Sequence, residues 1–318
     1  MLPLLPPRLL QSKFTRMNAT ESVFEIFILL QLSIGISGNV FLLLLTIRTV
    51  STSHKFNSSE LIYVHLALTN NLILLTRGIP GIFSIWGLWN FLDDAGCKLL
   101  IHVHQVARSL ATCTICLLSI FQAITISPST TQWAGIKAKL PKCIIPCFLS
   151  FWFLSLLIDV SAPIYIIGPQ NSTRDQQTFI LKHCSLVKIS AETLLVNTFV
   201  ISFRDLLFMG LMGTASGYMV FILHIPHWWG RHLHGSGCSP RAIPEMWAAK
   251  FVMVLMALYL LFHVLETVML TAFLNMRNKS LPVTTNIDLS IHFSVISPFL
   301  VIHSNQRMRT CGKRKSHS

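Results

Sequence analysis

Runs of about twenty mostly apolar residues recur along the whole chain, and they constrain it more than any other feature. A bilayer core about 30 Å thick needs ~20 residues per helical span. Only helices and closed barrels satisfy their backbone groups there. Barrel strands would show as ~10-residue segments of alternating hydropathy, a pattern this chain lacks. The expected fold is therefore an all-α membrane protein, a seven-transmembrane helix bundle. The composition agrees, with 52% hydrophobic and 12% charged residues among 318.

The first span is expected from Val23 to Ile47, with Gly35, Gly38 and Asn39 allowing close helix contact. The second runs from Glu60 to Pro80, with Arg77 marking its end. A Trp-bearing link (Trp86, Trp89) leads to the third, from Cys97 to Ile126, closed by Pro128. A loop with Lys137, Lys139 and Lys142 precedes the fourth, Cys143 to Ile167. The fifth covers Ala191 to Leu223, the sixth Trp247 to Leu274 and the seventh Thr284 to His303. This divides the chain into an N-terminal segment (1–22), a helical domain (23–303) and a basic tail (304–318). MLPLLPPRLL has too short an apolar region and too many prolines for a cleaved signal, so the first span is expected to direct its own insertion. Met17 is a second candidate start.

Orientation follows from charge. With the N-terminus outside and the C-terminus cytoplasmic, twelve Lys and Arg fall on the cytoplasmic side and nine outside. Sequons at Asn18, Asn171 and Asn278 then fall outside as glycosylation candidates, whereas that at Asn57 falls inside. Cys97 and Cys184 are the two outside cysteines and can pair in an oxidising compartment.

A formal charge of +13 could suggest nucleic acid, but the basic residues lie between apolar runs and read as topology signals, so no nucleic-acid partner is expected. Cys113, Cys116, Cys143 and Cys147 read as small buried hydrophobes. The run holding His224, His227, His232, His234 and Cys238 matches no zinc spacing, so no metal or other cofactor is expected. No phosphate loop, nucleophile elbow or HExxH motif appears, which argues against an enzyme. Cys311, between Arg309 and Lys313, suits palmitoylation, with membrane lipid as the partner, or remains a free thiol.

A lone charge inside a span costs on the order of 3 kcal/mol, so each needs a partner. His104 and Arg108 share a helical face, and Arg108 lies about 16 Å below Cys97 at ~1.5 Å rise per residue. Glu266, with His263 three residues earlier, lies about 12 Å below Leu274 on the same scale. The matched depths place Arg108 and Glu266 at one polar cavity, where a structural ion pair and a ligand contact are both open readings. His104 and His263 are ligand-contact candidates against a plain core role. Arg204 and Asp205, about 100° apart on their helix, should not simply neutralise each other and are expected to link neighbouring helices. Asp159, Glu192, Asp288 and His292 lie near outer ends and are expected to reach water, with Glu192 and Asp288 as rim contacts for a ligand.

Longer strings carry a family resemblance. CLLSIFQAITISP (Cys116 to Pro128), HVHQVARS (His102 to Ser109), SFRDLLFMGLM followed by SGYMV (Ser202 to Val220), SPRAIPE (Ser239 to Glu245) and SPFLVI (Ser297 to Ile302) resemble the vomeronasal type-1 receptors. The resemblance implies a G-protein-coupled receptor for small pheromone-like molecules. It implies a ligand among the outer helix halves and an inhibitory heterotrimeric G protein at the inner ends, near Phe121, Gln122 and Ala123. It also implies the plasma membrane of vomeronasal sensory neurons. Phe121, Gln122 and Ala123 replace the acidic-Arg-aromatic triplet of the wider rhodopsin-like pattern, and Asn70 replaces its usual acid, which argues against an ionic lock and a sodium site. The similar bitter-taste receptors are separated by LLSIFQAITISP and SFRDLLFMGLM. A transporter or channel, the alternative from another class, would show repeats or broken helices.

Overall fold

The computed structural model describes residues 19–53, 57–85, 93–127, 131–167, 178–181, 184–186, 191–229, 242–275 and 282–304. Seven α-helices account for nearly all of them: α1 (Ala19–Ser53), α2 (Ser58–Ile85), α3 (Asp94–Ile126), α4 (Thr131–Ile158), α5 (Ala191–Trp229), α6 (Ala242–Asn275) and α7 (Pro282–Ser304). Among the described residues five helical stretches are long and apolar enough to cross a membrane: Ile26–Thr52, Asp94–Ile126, Gly135–Ser161, Phe199–Ile222 and Ala248–Glu266. The shorter Ile291–Ser304 is also apolar.

Several helices outrun the expected apolar segments. α4 begins at Thr131, so Lys137, Lys139 and Lys142 belong to a helix and not to the expected loop. Gln and Lys favour helix while lowering hydropathy, which is why a hydropathy reading starts too late. Lys137 Nζ bonds the carbonyls of Thr125 (3.1 Å) and Ser127 (2.6 Å), satisfying acceptors left over at the end of α3. α5 likewise runs on to Trp229, and α2 passes Pro80 to end at Ile85, leaving Arg77 inside the helix.

The outer end of α4 corrects the sequence reading more sharply. The apolar run to Ile167 is not one helix: α4 stops at Ile158, a 3-10 helix spans Asp159–Tyr165, and Ile166–Ile167 form β1. Pro163 cannot continue the α-helical ladder, and two β-branched isoleucines suit a strand. β1, β2 (Thr178–Leu181) and β3 (Cys184–Leu186) make a small antiparallel sheet in the order β1-β3-β2, an element the sequence reading did not contain. Ile166 pairs with Leu186, and Thr178 pairs with Leu186 from the other side.

α3 is the axis of the bundle. It packs against α2, α4, α5, α6, the 3-10 helix and β1. Of its apolar window 72% is buried inside the protein, against 17% to 33% for the other four candidate spans, whose remaining faces are left for lipid. Its first turn is capped by Asp93, whose carboxylate accepts the Gly96 amide proton at 2.7 Å. The Cys97–Cys184 disulfide then fixes that end to β3. α2 opens with a comparable cap: the Asn57 backbone amide donates to Glu60 Oε2 at 3.0 Å, so the buried Glu60 is spent on the helix end.

The apolar core joins all seven helices through Leu42, Leu66, Leu118, Phe148, Met212, Leu255 and Val301. The small-residue expectation holds in α1: a Cβ at Gly35 would lie 2.9 Å from both Leu74 and Val295. Gly78 of α2 is tighter still, 2.7 Å from Leu32. At mid-bundle, Asn70 Nδ2 donates to Ser297 Oγ (2.8 Å) and Asn39 Oδ1 (3.2 Å), so the residue standing where an acid is usual ties α1, α2 and α7 together as a neutral knot.

Candidate ligand site

The half of the bundle nearer the Cys97–Cys184 disulfide holds a chain of charges of alternating sign. Arg108 of α3 donates through Nη1 to Glu266 Oε1 of α6 at 3.1 Å, the pairing that matched depths suggested. Its Nη2 lies 3.7 Å from Asp205 Oδ2 on α5. The same carboxylate oxygen is 3.3 Å from His263 Nε2. The other, Oδ1, accepts from Arg204 Nε at 3.0 Å. Arg204 then reaches Asp159 through Nη1, 2.9 Å from Oδ1 and 3.1 Å from Oδ2. The order is Asp159, Arg204, Asp205, Arg108, Glu266, and it crosses from the 3-10 helix through α5 and α3 to α6.

Two expectations fail here for identifiable reasons. Arg204 and Asp205 do pair, because the arginine side chain is long enough to curl back across the angle that separates their Cα–Cβ bonds. Arg204 also links helices as expected, through Asp159. Asp159 does not reach water: it is 1% exposed, because the 3-10 turn after Ile158 aims it inward at Arg204. With Arg204 at 6% and Asp205 at 7% exposure, this end of the chain of charges is sealed. Its members offset their own desolvation through the hydrogen bonds they make to each other. The Arg108–Glu266 end is less enclosed, with side-chain exposures of 26% and 15%.

His104 lies one turn above Arg108. Arg77 Nε, which can only donate, approaches His104 Nε2 at 3.1 Å, so that nitrogen carries no proton. The proton sits on Nδ1, 3.0 Å from Thr76 Oγ1, and the imidazole is neutral. The Thr76 hydroxyl in turn donates to the Leu72 carbonyl at 2.7 Å. His65, deeper on α2, obeys the same logic: Trp152 Nε1 donates to its Nε2 at 3.1 Å and Thr114 Oγ1 lies 2.8 Å from its Nδ1. Phe148 stacks on that ring at 4.1 Å.

A narrow cavity of about 40 Å³ opens between α2, α3, α6 and α7. Ile73, Ala111, Phe262 and Phe293 give it apolar walls, and His104, Arg108, Tyr259, His263, Glu266 and Ser294 bring polar groups into it. Apolar walls with a few convergent polar groups are what a small-molecule site requires. The Tyr259 hydroxyl bonds the Thr112 hydroxyl, and its ring meets Phe293 edge-on at 5.0 Å. Sequence reasoning missed Arg77, Tyr259, Phe262 and Phe293. The spacing of Tyr259, His263 and Glu266, four and then three residues, was the available sign that they share one face.

The other candidates fall elsewhere. Glu192 is exposed on the first turn of α5, outside the cavity lining. Asp288 belongs to α7, but its side chain lies outside the described residues. His292 is not simply at the water surface: it lies 3.4 Å from Gln31. Asn18, Asn171, Asn278, Cys311 and the His-rich segment from His232 to Cys238 lie outside the described residues. Cys113 and Cys116 are buried as expected, whereas Cys143 is exposed on α4. No group of metal-binding side chains occurs among the described residues.

At the inner end of α3, Phe121 is half-buried while Gln122 and Ala123 are 5% and 6% exposed. Ala123 packs with Ala215, Met219 and Ala249, joining α3 to α5 and α6. The Ser127 hydroxyl donates to the Ala123 carbonyl at 2.8 Å and meets the Tyr218 hydroxyl of α5 at 3.0 Å.

Comparison with known sequences adds an independent line. The sequence profile described as the vomeronasal organ pheromone receptor family matches residues 22–313. Olfactory receptor class A-like protein 1 of Danio rerio is 32% identical over 298 residues, 92% of each chain. Vomeronasal type-1 receptor 3 of Pan troglodytes is 33% identical over 286 residues, 90% of this chain and 92% of that one. Its namesake in Homo sapiens is 35% identical over 242 residues, 76% and 78% of the two chains.

Proposed function

The chain belongs to the vomeronasal organ pheromone receptor family, and on that premise we propose that the cavity beside Arg108 and Glu266 is where it takes its chemosensory ligand. The family membership makes the protein a seven-helix, multi-pass membrane receptor of the G-protein-coupled class. The observation that carries the ligand reading is the half-open ion pair: Arg108 and Glu266 line a cavity with apolar walls while the rest of their charge chain is sealed behind them. A small pheromone-like molecule entering there competes for Arg108, His263 and Glu266 directly and meets His104 one turn along α3 from Arg108.

Because the charge chain spans three helices and the 3-10 turn, a ligand that repartners Arg108 changes the forces between α3, α5 and α6. It shifts the bundle only by its differential affinity for the two arrangements. The inner ends then engage a heterotrimeric G protein of the inhibitory class, with Phe121 at the accessible edge and Gln122 and Ala123 transmitting the helix shift. This reading sets the N-terminus outside, the tail in the cytoplasm and the receptor in the plasma membrane of chemosensory neurons. The Cys97–Cys184 bond at the outer end supports that orientation, since disulfides persist in oxidising compartments. Glycans on Asn18, Asn171 and Asn278, a palmitate on Cys311, and rim contacts from Glu192 and Asp288 complete the proposal.

The test is a ligand screen in cells carrying a G-protein reporter, repeated with Arg108→Ala. The expected result is loss of ligand response with surface expression retained. Unchanged response at unchanged expression would exclude the cavity.

A further inference from the structure

α4 divides its lysines between two faces. At about 100° per residue, Lys137 falls on the face that carries the buried Ile144, Phe148 and Ser155, and it is the lysine bonded to the Thr125 and Ser127 carbonyls of α3. Lys139, Lys142 and Cys143 fall on the opposite face, and all three are exposed. That face continues along the helix through Pro146, Leu149 and Phe153, each of them exposed as well. It is a stripe with two cations at one end and mostly apolar groups beyond them.

Lys139 and Lys142 are three residues apart, which on a helix surface sets their Cβ atoms about 5–6 Å from each other. The chain has no Asp or Glu between Asp94 and Asp159, and among the described residues no carboxylate pairs with either lysine. Both lie in the first turns of the candidate span Gly135–Ser161, where the apolar stretch meets the membrane surface. A lysine ammonium is a compact, rotatable point charge suited to phosphate. A phosphomonoester carries about −1.5 to −2 charge near neutral pH, so one such group balances both lysines, whereas a phosphodiester balances only one.

We infer that this face of α4 seats a membrane phospholipid whose headgroup ends in a phosphomonoester, a phosphorylated phosphatidylinositol. The phosphate sits between the Lys139 and Lys142 ammonium groups, and an acyl chain lies along Pro146, Leu149 and Phe153. Lys142 to Phe153 rises about 16 Å, close to the depth of one leaflet of a hydrocarbon core about 30 Å thick. A lipid held there fixes the first turns of α4, which also carry the Lys137 clasp on the end of α3. On the topology proposed above the headgroup lies in the cytoplasmic leaflet, and its binding does not depend on the ligand cavity.

The experiment uses the purified full-length receptor in neutral detergent. Fluorescence anisotropy follows a labelled dioctanoyl phosphatidylinositol 4-phosphate as unlabelled competitors displace it. Phosphatidylinositol, which lacks only the phosphomonoester, and phosphatidylserine should compete about fivefold less well or worse, the worth of one unmatched lysine. Inositol 1,4-bisphosphate, the same headgroup without chains, should compete weakly, and inorganic phosphate more weakly still. Lys139→Gln/Lys142→Gln should weaken binding about thirtyfold, at about fivefold for each lysine. Both positions are exposed, so that variant should keep the wild-type melting temperature in the absence of lipid. Lys139→Arg/Lys142→Arg should retain binding. Arg48→Gln/Lys315→Gln, which removes the same charge elsewhere in the chain, should change it little. Equal competition by phosphatidylinositol or phosphatidylserine would overturn the phosphomonoester class, and equal competition by the chain-free headgroup would overturn the apolar stripe. Equal losses in the two Gln pairs, or none in Lys139→Gln/Lys142→Gln, would overturn the site.

Discussion

The two halves of α3 are held in opposite ways. Its outer half is gripped by formal charge: Arg108 bridges α5 and α6, and Arg204 ties α5 to the 3-10 helix that packs against α3. Its inner half is held by small apolar contacts around Ala123 and by neutral hydrogen bonds at Ser127, with one lysine on its terminal carbonyls. Charge pairs in a partly open cavity can be repartnered by an incoming charged or polar group, whereas close packing changes only by displacement of helices. On the proposed function, the half near Arg108 would do the sensing and the half near Ala123 would pass the movement on. A triplet without a charged switch fits that division.

The sharpest way to break the contrast is to uncouple the sealed end of the charge chain. Arg204→Met leaves Asp159 and Asp205 buried without their shared cation. That should cost about 3–5 kcal/mol and collapse surface expression of an epitope-tagged receptor. Replacing all three with apolar residues, Asp159→Leu, Arg204→Met and Asp205→Leu, should restore most of the expression and none of the ligand response, since Asp205 also faces Arg108. Next in size is the disulfide. Closing a loop of 87 residues restricts the unfolded chain by roughly 4 kcal/mol, so Cys97→Ser should lower thermal stability strongly, and Cys97→Ser/Cys184→Ser should add little to that loss.

Gly78→Val tests packing without touching charge. Even the first carbon of its side chain would sit 2.7 Å from a Leu32 methyl, so the buried Leu32 side chain must repack or α1 move away, at about 1–3 kcal/mol read as a lower melting temperature. The smallest expected effect belongs to the inner half. Tyr218→Phe removes one neutral hydrogen bond to Ser127, worth about 1 kcal/mol. It should raise basal reporter activity several-fold while leaving ligand potency nearly unchanged; a change in potency without a change in basal activity would contradict the division of labour.

Much of this was legible in the residues. Apolar runs located the helices, the paired positions of Cys97 and Cys184 located the outer end of α3, and equal depth brought Arg108 to Glu266. What escaped has physical reasons. The start of α4 escaped because Lys-rich turns at a membrane surface are helical by propensity while reading as loop by hydropathy. The inward aim of Asp159 escaped because it depends on a 3-10 turn hidden inside an apolar run. Arg77 resembled a span end, since its partner His104 lies on another helix and no spacing along one helix announces it. The pairing of Arg204 with Asp205 escaped because backbone angles say little about a side chain as long as arginine.

The central claim is that the Arg108–Glu266 pair is where the ligand acts. A double-mutant cycle measures it most directly: ligand potency in the wild type, Arg108→Gln, Glu266→Gln and the double variant, each normalised to surface expression. Each single change should reduce potency, and the double should fall well short of their product, with a coupling of about 1 kcal/mol or more. Potencies unchanged in all three variants at normal expression would show that the pair serves structure alone.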